Sequence, residues 1–223
     1  MEFIEYPDSD IMMITLANQI AGELRQALTG GERASLAVPG GTTPGPVFDS
    51  LCAADLDWGR VDVMLTDERW VPEGNPRSNT RLVKSRLLTG RAHDARYIPL
   101  YAETPEPEES LDALSQGIAA SLPLTVCLLG MGEDMHTASL FPGADRLAEG
   151  LSGSDILLPM RAPGAPEVRM TLTANVLNGA LHRHILIIGA GKRDAYERAR
   201  LLTAEHAPVA AVLRGATIHW AEK

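Results

Sequence analysis

Runs of apolar residues alternate along this chain with segments in which apolar residues recur every three or four positions. The short apolar, β-branched runs predict buried strands, and the helical spacing predicts helices with one buried face. The predicted strands cover residues 34–38, 61–66, 97–100, 122–129, 155–160, 168–172, 184–188 and 216–220. Because strands and helices alternate without an internal repeat, the pattern predicts an α/β fold with a doubly wound sheet.

The first helix is predicted over residues 10–28, with Ser9 as its N-cap and Gly30 and Gly31 at its end. The apolar residues at helical spacing on its predicted buried face are Ile14, Ala17, Ala21, Leu24 and Leu28. Further helices are predicted after residues 39–44, over 79–88 with Ser78 as cap, over 110–121, after Thr173 and after Gly189. No shift in composition marks a boundary, so residues 1–223 are predicted to form a single domain.

Composition and charge narrow the possible partners. The 223 residues are 45% apolar and 22% charged, as in ordinary globular proteins, and the formal net charge is −9. This charge disfavours nucleic acid and anionic membranes as partners, and a small anionic ligand would need local positive charge. The first residues do not resemble a signal peptide, and no apolar run is long enough to cross a bilayer. Cys52 and Cys127 show no metal-ligand spacing, so we expect a cytoplasmic protein with reduced thiols.

The loop that follows the predicted strand 122–129 carries the most chemically versatile residues. It reads Gly-Met-Gly-Glu-Asp-Met-His-Thr-Ala-Ser-Leu-Phe-Pro-Gly over residues 130–143. In open α/β sheets, ligands bind at the loops that follow the carboxyl ends of strands. His136 can take up a proton near neutral pH, and Asp134 can orient it. A loop histidine beside glycine and aspartate is also common turn chemistry, so the residues alone leave both interpretations open.

A second glycine-rich loop, Pro-Gly-Gly-Thr-Thr-Pro at residues 39–44, lies between a predicted strand and a predicted helix. Backbone N–H groups in such a loop, the helix amino end and threonine hydroxyls can hold a phosphate. An ordinary strand-to-helix turn has the same pattern, so this signal alone is weak. The candidate anion ligands in this loop are Gly40, Gly41, Thr42 and Thr43.

Charged residues follow two other predicted strands. Asp67 and Arg69 come directly after strand 61–66, where they could form a solvated turn or a site that pairs an acid with a guanidinium. Lys192 follows a Gly-x-Gly turn at the start of a predicted helix. A cation there opposes the helix dipole, which favours a bound anion, although a surface charge is the alternative.

Four segments together resemble the 6-phosphogluconolactonases, relatives of the glucosamine-6-phosphate deaminases. Residues 130–143 resemble the family signature Gly-x-Gly-x-Asp-Gly-His-Thr-Ala-Ser-Leu-Phe-Pro-Gly, with Met135 in the place of the family glycine. Three other segments also resemble family segments. They are the glycine-rich loop at 39–44, the Asp-Glu-Arg run that is followed by Val-Pro and later by Ser-Asn, and Arg-Met-Thr-Leu-Thr at 169–173. The resemblance extends from Pro39 to about Lys192. It implies a mostly parallel, Rossmann-like sheet with helices on both faces.

The resemblance also implies a reaction and roles for residues. The reaction is hydrolysis of 6-phospho-D-glucono-1,5-lactone to 6-phosphogluconate in the oxidative pentose phosphate pathway, with no metal and no cofactor. His136 would activate water as general base, Asp134 would hold or tune it, and Asp67 and Arg69 would complete the catalytic set. The implied phosphate ligands are the Gly40–Thr43 loop, Arg169 and Lys192. The implied oxyanion donors are N–H groups near Gly130 and Gly132, or the Arg69 side chain.

Two other functions stay open. The aminosugar deaminases carry Asn-Glu-Pro where Leu140-Phe141-Pro142 stands, and Asp-Glu-Tyr where Arg69 follows Glu68, so both differences favour the lactonase. A non-catalytic sugar-phosphate-binding protein is the other alternative, which only Met135 supports. We expect negative φ at Met135, because positive φ would strain an ordinary side chain. The protein is expected to be a monomer or a small homo-oligomer that binds an anionic sugar phosphate.

Overall fold

A computed structural model describes residues 1–223, which form a seven-stranded parallel sheet and a separate three-stranded antiparallel sheet. The strands are β1 (Glu2–Glu5), β2 (Ala34–Val38), β3 (Val61–Leu65), β4 (Asp67–Arg69), β5 (Arg96–Ile98), β6 (Val126–Gly130), β7 (Leu157–Met160), β8 (Arg169–Leu172), β9 (His182–Ile188) and β10 (Thr217–Ala221). The order in the large sheet is β1-β10-β9-β6-β2-β3-β5, and every neighbouring pair is parallel. The predicted α/β fold with a mostly parallel sheet is therefore confirmed.

Helices connect the parallel strands. They are α1 (Ser9–Gly30), α2 (Gly45–Leu51), α3 (Asn79–Arg86), α4 (Leu111–Ala119), α5 (Leu147–Ser152), α6 (Ala174–Asn178), α7 (Ala190–Ala199) and α8 (Ala210–Leu213). Short 3-10 helices occur at Trp58–Arg60, Gly90–Asp94 and Pro107–Ser110. No helix combines the length and the apolar character needed to cross a membrane.

The strand order reverses between β2 and β6. From β2 the chain continues to β3 and β5 on one side, and from β6 it continues to β9 and β10 on the other. Such a switch point opens a crevice at the carboxyl ends of the two strands, because their following loops leave in opposite directions. The loops that begin at Pro39 and Met131 leave these two strands. The sheet topology therefore brings the two predicted glycine-rich loops together.

The antiparallel sheet has the order β4-β8-β7 and was not predicted as a unit. The pattern predicts strands near β7 and β8, but it does not assign Asp67–Arg69 to a strand, because three residues are too few to show a period of two. A backbone hydrogen bond from Leu172 N to Thr66 O, 2.9 Å long, joins this sheet to the end of β3. The small sheet therefore stands at the carboxyl edge of the large one.

The first helix differs from its prediction in its cap and its buried face. Asp8 is the N-cap and accepts a hydrogen bond from Ile11 N at 2.8 Å, so the prediction of Ser9 was wrong. Ile14 is 55% exposed. The residues that are buried are Met12, Met13, Leu16, Ala17, Ile20, Ala21 and Leu24. The apolar residues of this helix cover a broad face, so the sequence is compatible with two choices of buried side. Packing against the rest of the protein buries the side that does not include Ile14.

Other differences concern short elements. β1 was missed because glutamates stand at both its ends, and it pairs only with β10 at the sheet edge. The short helices α5 and α8 were also missed. Thr173 is the N-cap residue of α6 as predicted, but its hydroxyl donates to Asp155 O at 2.6 Å and makes no capping hydrogen bond. Both cysteines are free, and burial raises the pKa of Cys127 to about 12, so this thiol is unreactive near neutral pH.

Candidate active site

A cavity of about 250 Å³ opens at the switch point between β2 and β6. The predicted site residues in its wall are Gly40, Gly41, Thr43, Asp67, Arg69, Gly130, Gly132, His136, Arg169 and Lys192. Asp134 lies behind His136, and Thr42 is exposed and does not line the cavity. The structure therefore brings together residues that are up to about 150 positions apart in the sequence, because parallel strands end at one edge of the sheet.

His136 and Asp134 form a hydrogen-bonded pair at the cavity wall. His136 Nδ1 lies 2.5 Å from Asp134 Oδ1, and this bond lowers the pKa of the Asp134 carboxyl. An ionised carboxylate only accepts hydrogen bonds, so the proton of a neutral imidazole lies on Nδ1. His136 Nε2 makes no hydrogen bond within the protein. The pair therefore presents an unprotonated ring nitrogen that can accept a proton.

The backbone around His136 is folded into a tight turn. Gly132 N donates to His136 O at 2.9 Å, and Met135 N donates to Gly132 O at 3.0 Å. A Cβ on Gly132 would lie 2.2 Å from both Asp134 Oδ1 and His136 Nδ1, so only glycine fits beneath the pair. The amide hydrogen of Gly132 is already donated, which leaves it unavailable as an oxyanion donor in this conformation.

Met135 has φ of 66°, so the prediction of negative φ was wrong. Ala138, three residues later, also has positive φ, at 48°. Besides the turn at Gly132, a hydrogen bond of 3.0 Å from Val209 N to Met135 O fixes this backbone. These bonds hold the turn in place and offset a strain of roughly 1 kcal/mol or more at Met135. Met135 thus keeps a left-handed conformation that glycine adopts without strain, and its side chain packs against the core.

Asp67 is a buried carboxylate that connects the signature loop to the small sheet. Ser139 Oγ donates to Asp67 Oδ2 at 2.6 Å, and Thr66 Oγ1 donates to Oδ1 at 3.3 Å. Arg169 Nη1 lies 3.7 Å from Asp67 Oδ2. Thr171 Oγ1 in turn accepts a hydrogen bond from Ser139 N at 3.1 Å. This network holds the loop after His136 against β4 and β8.

Two arginines on the small sheet lack partners for part of their donors. Arg69 and Arg169 are paired residues in the β4–β8 ladder, and both line the cavity. The Nε atoms of both are fully buried and make no hydrogen bond. Burial lowers the pKa of the Arg169 guanidinium, and the charge of Arg69 acts in the same direction. Both guanidinium groups therefore add positive charge to the cavity wall, and an anionic ligand there would be attracted to them.

The opposite wall of the cavity is formed by the glycine-rich loop and the start of α7. Gly41 has φ of 84°, a conformation that glycine adopts at little cost. Lys192 lies in the first turn of α7, and its Nζ donates to Met131 O at 2.7 Å. Lys192 is thereby held beside the loop that follows β6, with two of its three hydrogens free for a ligand.

Comparisons with known proteins identify the family of this chain. The family model described as glucosamine-6-phosphate isomerases/6-phosphogluconolactonase matches residues 7–220. This chain belongs to that family. It is 41% identical to the 6-phosphogluconolactonase of Rhizobium meliloti over 99% of this chain and 98% of that protein. It is 41% identical to the 6-phosphogluconolactonase of Pseudomonas aeruginosa, over 92% of this chain and 88% of the relative.

A solved structure shows the same fold. The crystal structure of a 6-phosphogluconolactonase from Shewanella baltica superposes with a TM-score of 0.95 and is 30% identical, covering 99% of this chain and 97% of that one. The predicted resemblance to the 6-phosphogluconolactonases is therefore confirmed.

Several residues of the site were not in the predicted set. Phe141 packs against His136, with ring centroids 4.4 Å apart. Arg169 Cζ lies 5.7 Å from the centroid of the Phe141 ring. The ring that packs against His136 is thus apolar. The signal available for Phe141 was its position in the signature. The signal available for Asn79, which lines the cavity, was the Ser-Asn pair at the start of a predicted helix.

Glu68 is a fully buried carboxylate that ties β4 to the start of α3. It accepts hydrogen bonds from the backbone N atoms of Arg69, Asn79 and Thr80 at 2.7–2.8 Å. The hydroxyls of Ser78 and Thr80 also donate to it. A buried carboxylate is stable only when donors surround its oxygens. These hydrogen bonds therefore fix α3 relative to the strand that carries Asp67 and Arg69.

Proposed function

We propose that this protein hydrolyses 6-phospho-D-glucono-1,5-lactone to 6-phosphogluconate, with His136 as the general base. The observation that carries the proposal is the hydrogen bond between His136 Nδ1 and Asp134, which leaves Nε2 free at the cavity wall. The family and its 6-phosphogluconolactonase relatives support the same reaction. A lactone is an activated ester, so an activated water molecule is a sufficient nucleophile.

The substrate would be anchored by its phosphate. The Gly40–Thr43 loop, Lys192 and Arg169 supply backbone donors and two cations to the cavity wall. An anchored phosphate converts the attack on C1 into a reaction between groups held in place, which lowers the entropic part of the barrier. The net charge of −9 is compatible with this ligand, because the positive charges converge locally on the cavity.

In the proposed chemical step, His136 Nε2 removes a proton from water as the water oxygen forms a bond to C1. The carbonyl π electrons move to oxygen and form a tetrahedral oxyanion. Asp134 stabilises the imidazolium that develops, because its carboxylate accepts the Nδ1 hydrogen. Collapse of the intermediate breaks the bond between C1 and the ring oxygen, and the imidazolium returns its proton to that leaving oxygen. No metal ion or covalent enzyme intermediate is needed for this balance.

The oxyanion requires donors aimed at it. Gly132 N–H is occupied by His136 O, so we propose that the Arg69 guanidinium in the cavity wall is the main donor. It would act through Nη2, because Nε is fully buried and Nη1 donates to Arg77 O. Gly130 N–H is the remaining backbone candidate. Asp67, held by Ser139 and close to Arg169, would keep the guanidinium groups in position.

The test is a turnover assay on freshly generated 6-phosphogluconolactone, with 6-phosphogluconate formation followed by a coupled dehydrogenase and corrected for spontaneous hydrolysis. We expect acceleration of several orders of magnitude over the spontaneous rate. Glucosamine 6-phosphate serves as the second substrate. Its deamination without lactone hydrolysis would identify an isomerase, and saturable binding of 6-phosphogluconate without either turnover would identify a binding protein. Either result would overturn the proposal.

A further inference from the structure

Asn79 is a cavity residue whose side chain is not needed for the helix that it begins. It is the first residue of α3, and it is 3% exposed. Ser78 caps this helix by accepting a hydrogen bond from Arg81 N at 3.2 Å, and Asn79 N donates to Glu68 at 2.8 Å. The helix end is thus satisfied by other groups. The Asn79 amide is therefore not required for the cap of α3, and it lines the cavity.

The orientation of this amide is determined by its neighbours. Asn79 Nδ2 donates to Asp67 O at 3.0 Å. A flipped amide would place its oxygen against that carbonyl oxygen, and two acceptors cannot bond. The other neighbour is Gly40, where a Cβ would lie 2.0 Å from Asn79 Oδ1. The amide therefore lies against the backbone of Gly40, and this close approach requires glycine there.

The Oδ1 atom of Asn79 is an acceptor without a protein donor. Among side-chain nitrogen and oxygen atoms, only the Nε atoms of Arg69 and Arg169 are both fully buried and without a hydrogen bond. Asn79 Oδ1 also lacks a hydrogen bond but does not belong to that group, so part of its surface is accessible. Since the residue is otherwise buried, its oxygen is accessible from the cavity. Once a ligand has displaced water from the cavity, the amide oxygen needs a donor from that ligand. Phosphate dianion, lactone carbonyl and ring oxygen have none, whereas a sugar hydroxyl donates.

We propose that Asn79 Oδ1 accepts a hydrogen bond from one ring hydroxyl of the sugar-phosphate lactone and makes the site selective for that hydroxyl. This inference rests on the proposed lactone hydrolysis. A site built to bind a hydroxyl discriminates against an analogue that lacks it, because the amide oxygen then stays desolvated and unpaired.

The experiment compares the parent protein, Asn79→Ala and the matched control Asn18→Ala on 6-phosphogluconolactone and its 2-, 3- and 4-deoxy analogues. Asn18 is an exposed asparagine of α1, outside the cavity. In the parent we expect kcat/KM to fall about tenfold or more for one deoxy analogue. Asn79→Ala should lose about as much on the full substrate and nothing further on that analogue, while Asn18→Ala should match the parent.

Three results would overturn the inference. Equal losses of Asn79→Ala on the full substrate and on every analogue would indicate a structural role, such as support of Asp67. An Asn79→Ala protein equal to the parent would remove the residue from recognition. A parent that accepts all three analogues within a few-fold would exclude hydroxyl selection even if Asn79→Ala does not fold. Failure of the proposed function itself would be distinct, since the parent would not hydrolyse the full substrate.

Discussion

Arg69 and Arg169 face each other directly across the antiparallel pair of β4 and β8, and each keeps a buried Nε without a partner. Like charges in directly opposite positions destabilise a sheet, so this pair lowers the stability of the free protein. Asp67, 3.7 Å from Arg169, compensates only part of that charge. The arrangement is understandable if the missing negative charge arrives with the substrate.

We therefore expect Arg169→Met to weaken substrate binding without destabilising the free protein. KM for the phosphorylated lactone should rise by tenfold or more, since a charge-assisted hydrogen bond contributes about 1.5–3 kcal/mol. The free energy of unfolding should stay within about 1 kcal/mol of the parent, because an apolar side chain replaces a buried charge. Steady-state kinetics and urea unfolding of the ligand-free protein measure the two quantities. An unchanged KM would contradict the anion-binding role.

A separate prediction concerns Lys192 and the phosphate. Lys192→Met should raise KM for 6-phosphogluconolactone by at least tenfold, because the charge-assisted hydrogen bond from the ammonium group to the phosphate is lost. Hydrolysis of unphosphorylated gluconolactone should stay nearly unchanged. Lys84→Met is a matched control, because Lys84 pairs with Glu73 outside this cavity. If both lactones are affected equally by Lys192→Met, then Lys192 supports the loop through Met131 and does not bind the phosphate.

The base is tested by His136→Ala, which should lower kcat by about two to four orders of magnitude with little change in KM. Asp134→Asn should lower kcat by a smaller factor, because the amide can still orient the ring but cannot stabilise the imidazolium. The exposed His206, outside the cavity, provides the control His206→Ala. Pre-steady-state measurements of product formation separate chemistry from release. Activity of His136→Ala within a few-fold of the parent would exclude the proposed role.

Met135 leads to a prediction about backbone conformation. Met135→Gly should keep kcat within about threefold of the parent, because the loop already has the left-handed conformation that glycine favours. Met135→Val should lower both kcat and stability, the latter by roughly 1 kcal/mol or more, because a β-branched residue is strongly disfavoured at positive φ. Urea unfolding and steady-state kinetics of the two variants test this. A large rate gain in Met135→Gly would show instead that methionine impairs the site.

A buried histidine network away from the cavity predicts how stability depends on pH. His219 is fully buried, with Nδ1 2.9 Å from the Tyr6 hydroxyl and Nε2 3.0 Å from His184 Nδ1. Glu23 accepts from His184 Nε2 at 2.8 Å. Burial and the neighbouring His184 lower the pKa of His219 to about 3 from the ordinary 6.5.

As the pH falls, the unfolded chain binds a proton at this histidine near pH 6.5, whereas the folded protein binds it only near pH 3. The free energy of unfolding should therefore keep its full value above a pH of about 6.5 and decrease between 6.5 and 3. The slope should be up to about 1.4 kcal/mol per pH unit. Urea unfolding at several pH values between 7.5 and 4.5 measures the slope. His219→Gln should reduce that slope, and the surface variant His93→Gln should leave it unchanged. An equal slope in parent and His219→Gln would refute this account.

The sequence was sufficient to predict most of the candidate residues that line the cavity, because they directly follow strands and parallel strands end at a common edge. Asn79 was missed because it contributes through contacts with Gly40 and Asp67, which are distant in the sequence. Phe141 was missed because an apolar residue in a loop does not by itself indicate a contact with His136. The small sheet was missed because Asp67–Arg69 is too short to show an alternating pattern. The error at Met135 has another cause: local preference favoured negative φ, whereas three backbone hydrogen bonds around the turn enforce the opposite.

The switch point between β2 and β6 also has a consequence for folding. Ser35 and Thr125, which exchange hydrogen bonds across these strands, are 90 residues apart in the sequence. Pairs of such high sequence separation carry a large loop-closure cost and form slowly compared with local structure. Neither half of the chain alone contains both walls of the cavity. Recovery of catalytic activity after dilution from denaturant should therefore report on this long-range pairing, whereas recovery of helical content should not.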